Sequence, residues 1–409
     1  MVPLRRRVWL CREGWYYVSV LAFIVGGAVL RNVNLLVVLT GMMMAPLVLN
    51  WRMVMASLRG IEVRRKLPPQ ATAGQPLTVE LTVVNHRRWF SSWQLRLVDR
   101  LQRLPGTGEV RRSPFHVLKF AAWKRLLSHD PHVLRPDALV TQAVAGEATL
   151  ASYRVTLHRR GRYAFGPLTV STRYPLGLVR GHVKLRQVDE LVVAPRLGRL
   201  THRWAELTES QLVGDSQRHP QRGIAEGDFY GLRPWQSGDS QRWIHWRTTA
   251  KLNTPTVRQF ERQQSRDVAI VLDPWLPDQP QEADLGRLEL AVSLAATAVV
   301  DVCQRGFGRL SFAIAGSQPK VWIAPASPLL CDELLLSLAL VAGERAPNLN
   351  AAIDELSQPL LGGCRLLALS PRPQLQVSLT GAESDGIDLS SMRWIDVGAP
   401  DLVSIFVLE

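Results

Sequence analysis

The 409-residue sequence lacks the features that mark the common catalytic and metal-binding classes. Its four cysteines show no Cys-x-x-Cys spacing and have no histidine cluster near them, which indicates reduced thiols rather than a zinc site or a disulfide framework. No Gly-rich phosphate loop follows a predicted strand, and no HExxH motif or nucleophile elbow is present. We therefore predict a protein that is not an enzyme, with no catalytic residue, cofactor or metal.

The positive charge is unevenly distributed. The net charge of +14 would suit nucleic-acid binding, but residues 1–66 contain ten Lys/Arg and two Asp/Glu and hold more than half of the excess. Positive charge that flanks a hydrophobic segment sets membrane topology or contacts anionic lipid. We therefore predict a lipid bilayer as a partner, and no nucleic acid.

Charge is absent from residues 14–30 and from residues 32–51, with Arg31 between them. Each run is long enough for a membrane-spanning helix, and aromatic residues lie at the outer ends. The alternatives are a twin-arginine export signal at Arg6 and Arg7 and a buried soluble hairpin. A second apolar run directly after the first disfavours the export signal, and nearly forty residues with a single internal charge disfavour the soluble hairpin. We predict a transmembrane hairpin over residues 1–57, in the inner (cytoplasmic) membrane, with both soluble domains in the cytoplasm.

The region 58–197 has a hydrophobic period of two, which is typical of half-buried strands. Three stretches show it, and their apolar positions are Leu77, Val79, Leu81 and Val83; Trp93, Leu95 and Leu97; and Tyr153, Val155, Leu157, Phe165, Leu168 and Val170. Short alternating strands with Gly/Pro turns predict an immunoglobulin-like β-sandwich. Residues 101–148 are less regular and predict an excursion between strands.

The region 263–409 has the pattern of an α/β domain. A buried strand ends at Asp273, a long helix stops at Gly306, and a hairpin, a second helix and further strands follow. This order predicts a doubly wound sheet. Asp273 stands where a von Willebrand factor A-like domain begins its metal-binding Asp-x-Ser-x-Ser, but Trp275 and Pro277 replace the serines. One oxygen ligand is too few for a hard divalent ion, so we predict no metal there.

Between these regions lies the stretch "GDFYGLRPWQSGDSQRWIHWRTTAKLNTPTVRQFE", residues 227–261. It predicts a turn at Gly238, capped by Asp239 or Ser240, that leads into a helix over residues 241–250. On that helix Trp243, Trp246 and Ala250 would share one face. The stretch also offers arginines and carboxylates for bidentate pairs: Arg233, Arg242 and Arg247 with Asp228, Asp239 or Glu261.

This stretch closely resembles the signature of the bacterial "domain of unknown function 58" family, whose pattern is roughly E-F-x-x-L-R-x-Y-x-x-G-D-x-x-R-x-I-x-W-x-x-x-A-R followed by V-R-x-x-E. The matching residues are Phe229, Leu232, Arg233, Gly238, Asp239, Arg242, Ile244, Trp246, Ala250, Val257, Arg258 and Glu261. The departures are Asp228, Trp235, His245 and Lys251, together with Tyr174 upstream. His245 inverts the charge of the usual Asp, which weakens any mechanism that needs a carboxylate there.

The resemblance implies a two-helix membrane protein with a von Willebrand factor A-like C-terminal domain. It further implies a non-enzymatic adaptor or scaffold for a MoxR-type AAA+ ATPase, with a transglutaminase-like membrane protein as a second partner. Residues 198–262 would then link the domains, as a structural clasp or a partner-binding surface. The signature residues expected to serve it are Arg233, Gly238, Asp239, Arg242, Trp246, Arg258 and Glu261. Two alternatives stay open: a hydrolase that uses Asp239, Arg242 and His245, and metal-dependent ligand binding near Asp273.

Overall fold

The computed structural model describes residues 6–31, 34–104, 133–209, 229–237, 239–260, 267–306, 308–357, 366–374 and 392–408. The chain divides into two compact units. The first comprises Met1–Leu197 and Glu333–Gly343, and the second comprises Gly198–Asp332 and Glu344–Glu409. The finer division into four segments made from the sequence stays a prediction.

The first unit begins with two apolar helices, α1 (Arg12–Arg31) and α2 (Asn34–Ser57), each long and apolar enough to cross a membrane. Their large apolar side chains are exposed along most of their length; Phe23, for example, is 84% exposed and Leu35 76%. Tyr17 Oη donates a hydrogen bond to the Met43 carbonyl at 2.7 Å and joins the two helices. The predicted pair of helices is thus present, and its exposed apolar surface indicates a membrane anchor.

In the described residues of this unit, thirteen strands form three sheets. They are β1 (Arg6–Leu10), β2 (Ile61–Lys66), β3 (Ala71–Thr72), β4 (Pro76–Asn85), β5 (Ser92–Val98), β6 (Leu101–Arg103), β7 (Val133–Leu134), β8 (Asp137–Ala143), β9 (Ala148–Thr156), β10 (Gly161–Phe165), β11 (Leu168–Thr172), β12 (Val179–Leu185) and β13 (Asp189–Ala194). The sheet orders are β1-β12-β11-β5-β8, β3-β13-β10-β6-β7 and β2-β4-β9. All pairs are antiparallel except β3 with β13. The predicted β-rich region is therefore sheet-rich in the structure, with strands also at both ends of the predicted excursion; residues 105–132 lie outside the described residues.

The predicted alternation holds in β4, where the four apolar positions are at most 7% exposed. It is wrong at the start of β5, where Trp93 is 38% exposed and Ser92 is fully buried. Gln94 has a φ of 49°, so the backbone leaves the extended conformation there and the side-chain period slips by one position.

A buried ion cluster lies among the strands of the first unit. Arg65 on β2 is 1% exposed and binds the fully buried Asp99 carboxylate through two nitrogens, each at 2.9 Å. The same guanidinium binds Asp189 at 2.5 Å, and Tyr153 Oη donates to Asp99 at 2.6 Å. Arg65, which the sequence places among the charges that flank the hairpin, therefore lies in the protein core and not at a lipid surface.

The second unit alternates strands and helices. Its strands are β14 (Gly198–Leu200), β15 (Phe229–Pro234), β16 (Thr256–Phe260), β17 (Val268–Leu272), β18 (Arg309–Ile314), β19 (Lys320–Pro325), β20 (Leu366–Ser370), β21 (Arg393–Asp396) and β22 (Phe406–Leu408). Its helices are α3 (His202–Glu209), α4 (Trp246–Leu252), α5 (Glu282–Arg305), α6 (Pro328–Ala339), which begins in this unit, and α7 (Leu349–Ser357), with 3₁₀ turns at Gln241–Trp243 and Pro400–Ser404.

The main sheet has the order β19-β18-β17-β20-β21, with β19 antiparallel to its neighbour and the other pairs parallel. Ala269 and Val271 of β17 pack in one cluster with Ile353 of α7. Because side chains alternate along a strand, the fully buried residues between them face the other side of the sheet. The predicted strand, long helix and hairpin are all present, and α5 ends at Gly306, whose φ is 66°. Helix α7 is absent from the sequence predictions.

Candidate functional site

The signature segment, defined here as residues 229–260, is an antiparallel hairpin with an elaborate connection. Strand β15 pairs with β16, with a register shift between Phe229 and Gly231. Beyond the strands the Trp235 backbone N–H donates to the Pro255 carbonyl at 2.8 Å and extends the pairing into the connection. The connection between the strands carries Asp239, Arg242 and Trp246, so the hairpin positions the backbone from which these side chains extend.

The connection does not form the single helix predicted over residues 241–250. A 3₁₀ turn spans Gln241–Trp243, Ile244 bridges to Val257, and α4 begins only at Trp246. The His245 backbone N–H donates to the Thr256 carbonyl at 2.8 Å, which holds this part of the chain in an extended conformation against β16. Pairing with the strand therefore overrides a local sequence that contains no helix breaker.

The break also separates the tryptophans that were expected to share one buried face. Trp243 lies in the 3₁₀ turn and is half-buried, whereas Trp246 opens α4 and is 69% exposed. Ala250 is exposed as well. The prediction of a common apolar face was wrong, and the most conspicuous aromatic ring of the segment faces solvent.

One predicted ion pair organises the turn before the 3₁₀ segment. Both carboxylate oxygens of Asp239 accept hydrogen bonds from Arg233, each at 2.7 Å. The Gln236 backbone N–H also donates to Asp239 at 2.9 Å, and Trp235 Nε1 donates to the Asp239 carbonyl at 3.3 Å. The hydrogen bonds from Arg233 and Gln236 lower the pKa of the Asp239 carboxyl. The hydrogen bond to Asp239 in turn raises the pKa of Arg233. The bidentate contact fixes the geometry of the turn as well as neutralising its charge.

His245 caps helix α4. Its Nδ1 accepts the Thr248 backbone N–H at 3.3 Å and lies 2.8 Å from Thr248 Oγ1. An acceptor at this position satisfies one of the N–H groups that a helix leaves unpaired at its start. The residue that departs from the family's usual Asp therefore has a structural contact that an Asp could also make.

Several basic residues of the segment are exposed. Arg247 and Lys251 are exposed on α4 at a spacing of four, so they share one side of that helix. Arg242 and Arg258 are exposed too, and the segment has five Lys/Arg against one Asp. The two other predicted site residues, Gly238 and Glu261, lie outside the described residues. The segment thus exposes both an aromatic ring and several positive charges.

A second cluster lies at the carboxyl end of β17. The Asp273 side chain is fully buried, and its Oδ2 accepts hydrogen bonds from Ser370 Oγ at 2.8 Å and from Arg372 Nε at 2.9 Å. The Arg372 guanidinium also lies 5.2 Å from the centre of the Trp275 ring. Burial raises the pKa of the Asp273 carboxyl, and the positive charge of Arg372 opposes that rise. The sequence predicted the location of Asp273, but it gave no sign that Arg372 would supply its counter-charge.

Two cysteines come together on neighbouring helices, Cys303 on α5 and Cys331 on α6. A hydrogen bond from Cys331 lowers the pKa of the Cys303 thiol to about 7, with a smaller contribution from the Ser327 backbone. The same contact raises the pKa of Cys331. In the parts of the chain that the structure describes, no group of three or more His, Cys, Asp or Glu side chains is placed to hold a metal ion.

Comparison with known proteins places the signature segment within a recognised family model. The model, described as "Protein of unknown function DUF58", matches residues 231–361. "Uncharacterized protein YeaD" of Bacillus subtilis (strain 168) is 24% identical over 210 residues, which are 51% of this chain and 50% of that protein. The chain thus spans about half the length of this curated relative.

Similar solved structures include a β-glucosidase from Listeria innocua, in complex with gluconolactone, at 15% identity and a TM-score of 0.18, covering 32% of this chain and 16% of that one. The sporulation control protein Spo0M from Bacillus subtilis is similar at 11% identity and a TM-score of 0.18, covering 44% and 59%. Neither likeness carries a functional argument. The match to residues 231–361, which contain nearly all of the signature segment and the strands β17, β18 and β19, supports the resemblance to the DUF58 family.

Proposed function

We propose that this protein is a membrane-anchored, non-enzymatic adaptor whose signature segment docks an acidic surface of a partner protein. The observation that carries the proposal is the 69% exposure of Trp246 on a short helix that also exposes Arg247 and Lys251. Tryptophan and arginine are the residues most enriched at binding hot spots. By family resemblance, the partner would be a MoxR-type AAA+ ATPase.

The local hydrogen bonds support docking because they hold the surface in one conformation before a partner arrives. Arg233 and Asp239 fix the turn that precedes the 3₁₀ segment, and His245 fixes the start of α4. A surface ordered in advance loses less conformational entropy on binding than a mobile one. A purely structural clasp would instead bury its large aromatic side chains, which the exposure of Trp246 does not support.

The anchor would tether the protein to a membrane. Strand β1 leads directly into α1 and pairs with β12, while α2 leads into β2, so both ends of the helical pair join the first unit. With the basic residues at the N-terminus, this connectivity supports a cytoplasmic location for both ends in the inner membrane. We further propose an immunoglobulin-like sandwich in the first unit, a von Willebrand factor A-like sheet in the second, and a transglutaminase-like membrane protein as a second partner.

The hydrolase alternative has less support. Both Asp239 oxygens bind Arg233, and its lowered pKa makes the carboxyl a poor proton donor at neutral pH. His245 Nδ1 is engaged with the start of α4. For metal-dependent ligand binding near Asp273, the buried carboxylate already has Arg372 as its positive partner. These contacts favour structural roles for the three side chains.

The test measures direct binding between the full-length protein in lipid nanodiscs and a purified MoxR-type ATPase from the same organism. We expect Trp246→Ala to weaken binding by about 30-fold, the effect of losing a hot spot of about 2 kcal/mol. The matched control is Leu150→Ala, which removes another exposed large apolar side chain, 77% exposed, from the first unit. Absence of binding by the unaltered protein, or equal losses in the two variants, would overturn the proposal.

A further inference from the structure

Both apolar helices leave the first unit at the same edge of one sheet. Strand β1 ends at Leu10, opposite Val179 at the start of β12, and the Cys11 N–H donates to the Leu178 carbonyl at 2.9 Å. On the second helix, the fully buried Asn50 accepts the Val179 N–H through Oδ1 at 3.1 Å. The start of β12 therefore marks the edge of the unit from which α1 and α2 emerge.

The strand register brings the loop of residues 86–91 to this edge. Strand β11 ends at Thr172, opposite Gly181 near the start of β12. Thr172 Oγ1 donates to the Trp93 carbonyl at 3.0 Å, and the Trp93 ring stacks on Tyr174 with 6.0 Å between centres. Trp93 is at the start of β5, so the loop that leads into β5 lies at the same edge as the two helices.

The loop is also bound directly to the end of α2. Arg87 donates to the carbonyls of Ala56 at 2.8 Å and Ser57 at 3.3 Å, and Ser92 Oγ donates to Ser57 at 2.8 Å. These carbonyls belong to the last turn of the helix, where a positive side chain satisfies unpaired acceptors and the helix dipole. The loop is thereby held at a fixed place beside α2.

The tip of the loop exposes side chains that suit a lipid headgroup region. Trp89 is 87% exposed, Phe90 is 72% exposed, and the neighbouring Arg88 is exposed as well. Aromatic rings favour the membrane–water interface, and an arginine there can pair with lipid phosphates. At the same edge, Trp15 on the first turns of α1 and Trp51 on α2 are 61% and 48% exposed.

Distances along the helix are compatible with such a contact. Ser57 lies about 9 Å beyond Trp51 along the axis of α2, at 1.5 Å per residue. The headgroup region of one leaflet is roughly 5–8 Å deep. Side chains the size of Trp89 and Phe90 span much of the remaining distance between the level of Ser57 and the headgroup region.

We propose that Trp89 and Phe90, with Arg88, insert into the headgroup region of the same bilayer that α1 and α2 cross. The loop of residues 86–91 is then a third membrane contact, which sets the orientation of the first unit against the lipid surface. The inference rests on the proposed membrane anchor. It requires no partner protein, and it assigns this loop to an anionic lipid surface.

The test uses the full-length protein in nanodiscs that contain phosphatidylglycerol, with one fluorescent amino acid placed at position 90, 23 or 246. Position 23 reports on the anchor, and position 246 is an exposed aromatic control outside the loop. We expect headgroup-attached nitroxide lipids to quench position 90 and aqueous iodide to quench it several-fold less than position 246. Position 23 should be quenched by nitroxides on the acyl chains.

The outcomes separate the inference from the anchor on which it rests. Iodide quenching at position 90 equal to that at 246, with position 23 still quenched from the acyl chains, would overturn the loop contact and leave the anchor intact. Iodide quenching at all three positions would overturn both. A further variant, Arg88→Glu, should reduce headgroup quenching at position 90 without altering position 23, because it replaces attraction to anionic lipid with repulsion.

Discussion

The strongest single-residue effect on the first unit should come from replacing Arg65 with methionine. Arg65 is 1% exposed and Asp99 is fully buried, and two hydrogen bonds of 2.9 Å join them. The substitution retains an apolar chain of similar length. Among the described residues, it leaves the Asp99 carboxylate with the Tyr153 hydroxyl and the Arg100 backbone N–H as partners. A buried carboxylate without a countercharge strongly destabilises a folded protein.

The expected loss in free energy of unfolding is about 3–5 kcal/mol, the usual cost of removing one partner from a buried ion pair. Replacing both residues, Arg65→Met with Asp99→Leu, should cost less than the first change alone, because the fully buried Asp99 carboxylate is then absent. Asp189, whose side chain is 33% exposed, loses Arg65 in both variants. The Tyr153 hydroxyl would still lose its acceptor, which leaves a cost of about 1–3 kcal/mol. The ordering of single and double variants thus distinguishes an unpaired charge from a simple loss of packing.

Hydrogen–deuterium exchange of the β2 and β9 amides, measured for the full-length protein in nanodiscs, reads out this loss. If these amides exchange through unfolding of the unit, the rate should rise by about 150- to 5,000-fold. The matched control is Arg96→Met, because Arg96 and Asp137 also lie 2.8 Å apart but are 53% and 46% exposed. The control should change stability by less than about 1 kcal/mol. A similar small change for Arg65→Met, or a double variant that loses the sum of two single losses, would refute the reasoning.

Three further predictions concern the second unit. His245→Ala should destabilise the start of α4 by about 1 kcal/mol and His245→Asp should not, as judged by local amide exchange; equal losses would contradict the capping role. Arg372→Met should cost about 3–5 kcal/mol at neutral pH. Burial raises the pKa of Asp273, so the folded state holds a proton on this carboxyl more tightly than the unfolded chain does. The stability lost in Arg372→Met should therefore shrink as the pH falls through that raised pKa. Thermal unfolding measured over a pH series would contradict this if the loss grew as the pH fell. Cys331→Ala should slow alkylation of Cys303 by iodoacetamide at pH 7 several-fold, because the hydrogen bond that lowers the pKa of Cys303 is lost; an unchanged rate would show that the thiols do not interact.

The elements that the sequence predicts well are those whose burial pattern is local. The alternation in β4 and the uninterrupted apolar run of β17 each specify which faces are buried, and the structure confirms both. Gly306 ends α5 because a left-handed residue closes a helix without steric cost, and that signal is likewise local. Such features require no knowledge of distant partners.

The missed elements depend on pairing over long sequence separations. The basic residues of β1 read as a membrane flank, yet the strand exists because it pairs with β12, far along the chain. The role of Arg65 likewise depends on distant residues, because the fold brings it to Asp99 and Asp189. Arg372 likewise meets Asp273 only because β17 and β20 are neighbours in the sheet. A charge pattern read without these pairings overstates how much positive charge is available to lipid.

In the signature segment, the sequence predicts the Arg233–Asp239 contact as one of several pairings, but the single helix that it predicts over the following residues is wrong. Residues 241–250 contain no helix breaker, so local propensity favours one helix. The structure interrupts it because Ile244 bridges to Val257 and the His245 N–H bonds to Thr256. With this interruption Trp243 is half-buried and Trp246 is 69% exposed, so the burial predicted from a single helical face does not occur.

The same interruption explains why a histidine can stand where the family pattern has an aspartate. A catalytic carboxylate could not be replaced by an imidazole without changing the chemistry, but an N-cap requires only an acceptor directed at the first free N–H groups of the helix. His245 Nδ1 provides that acceptor at 3.3 Å from the Thr248 N–H. Asp239, in turn, serves Arg233 and the Gln236 backbone. Two polar positions of the signature thus fix the shape of the backbone, and that shape sets where Trp246 is presented, as the proposed docking surface requires.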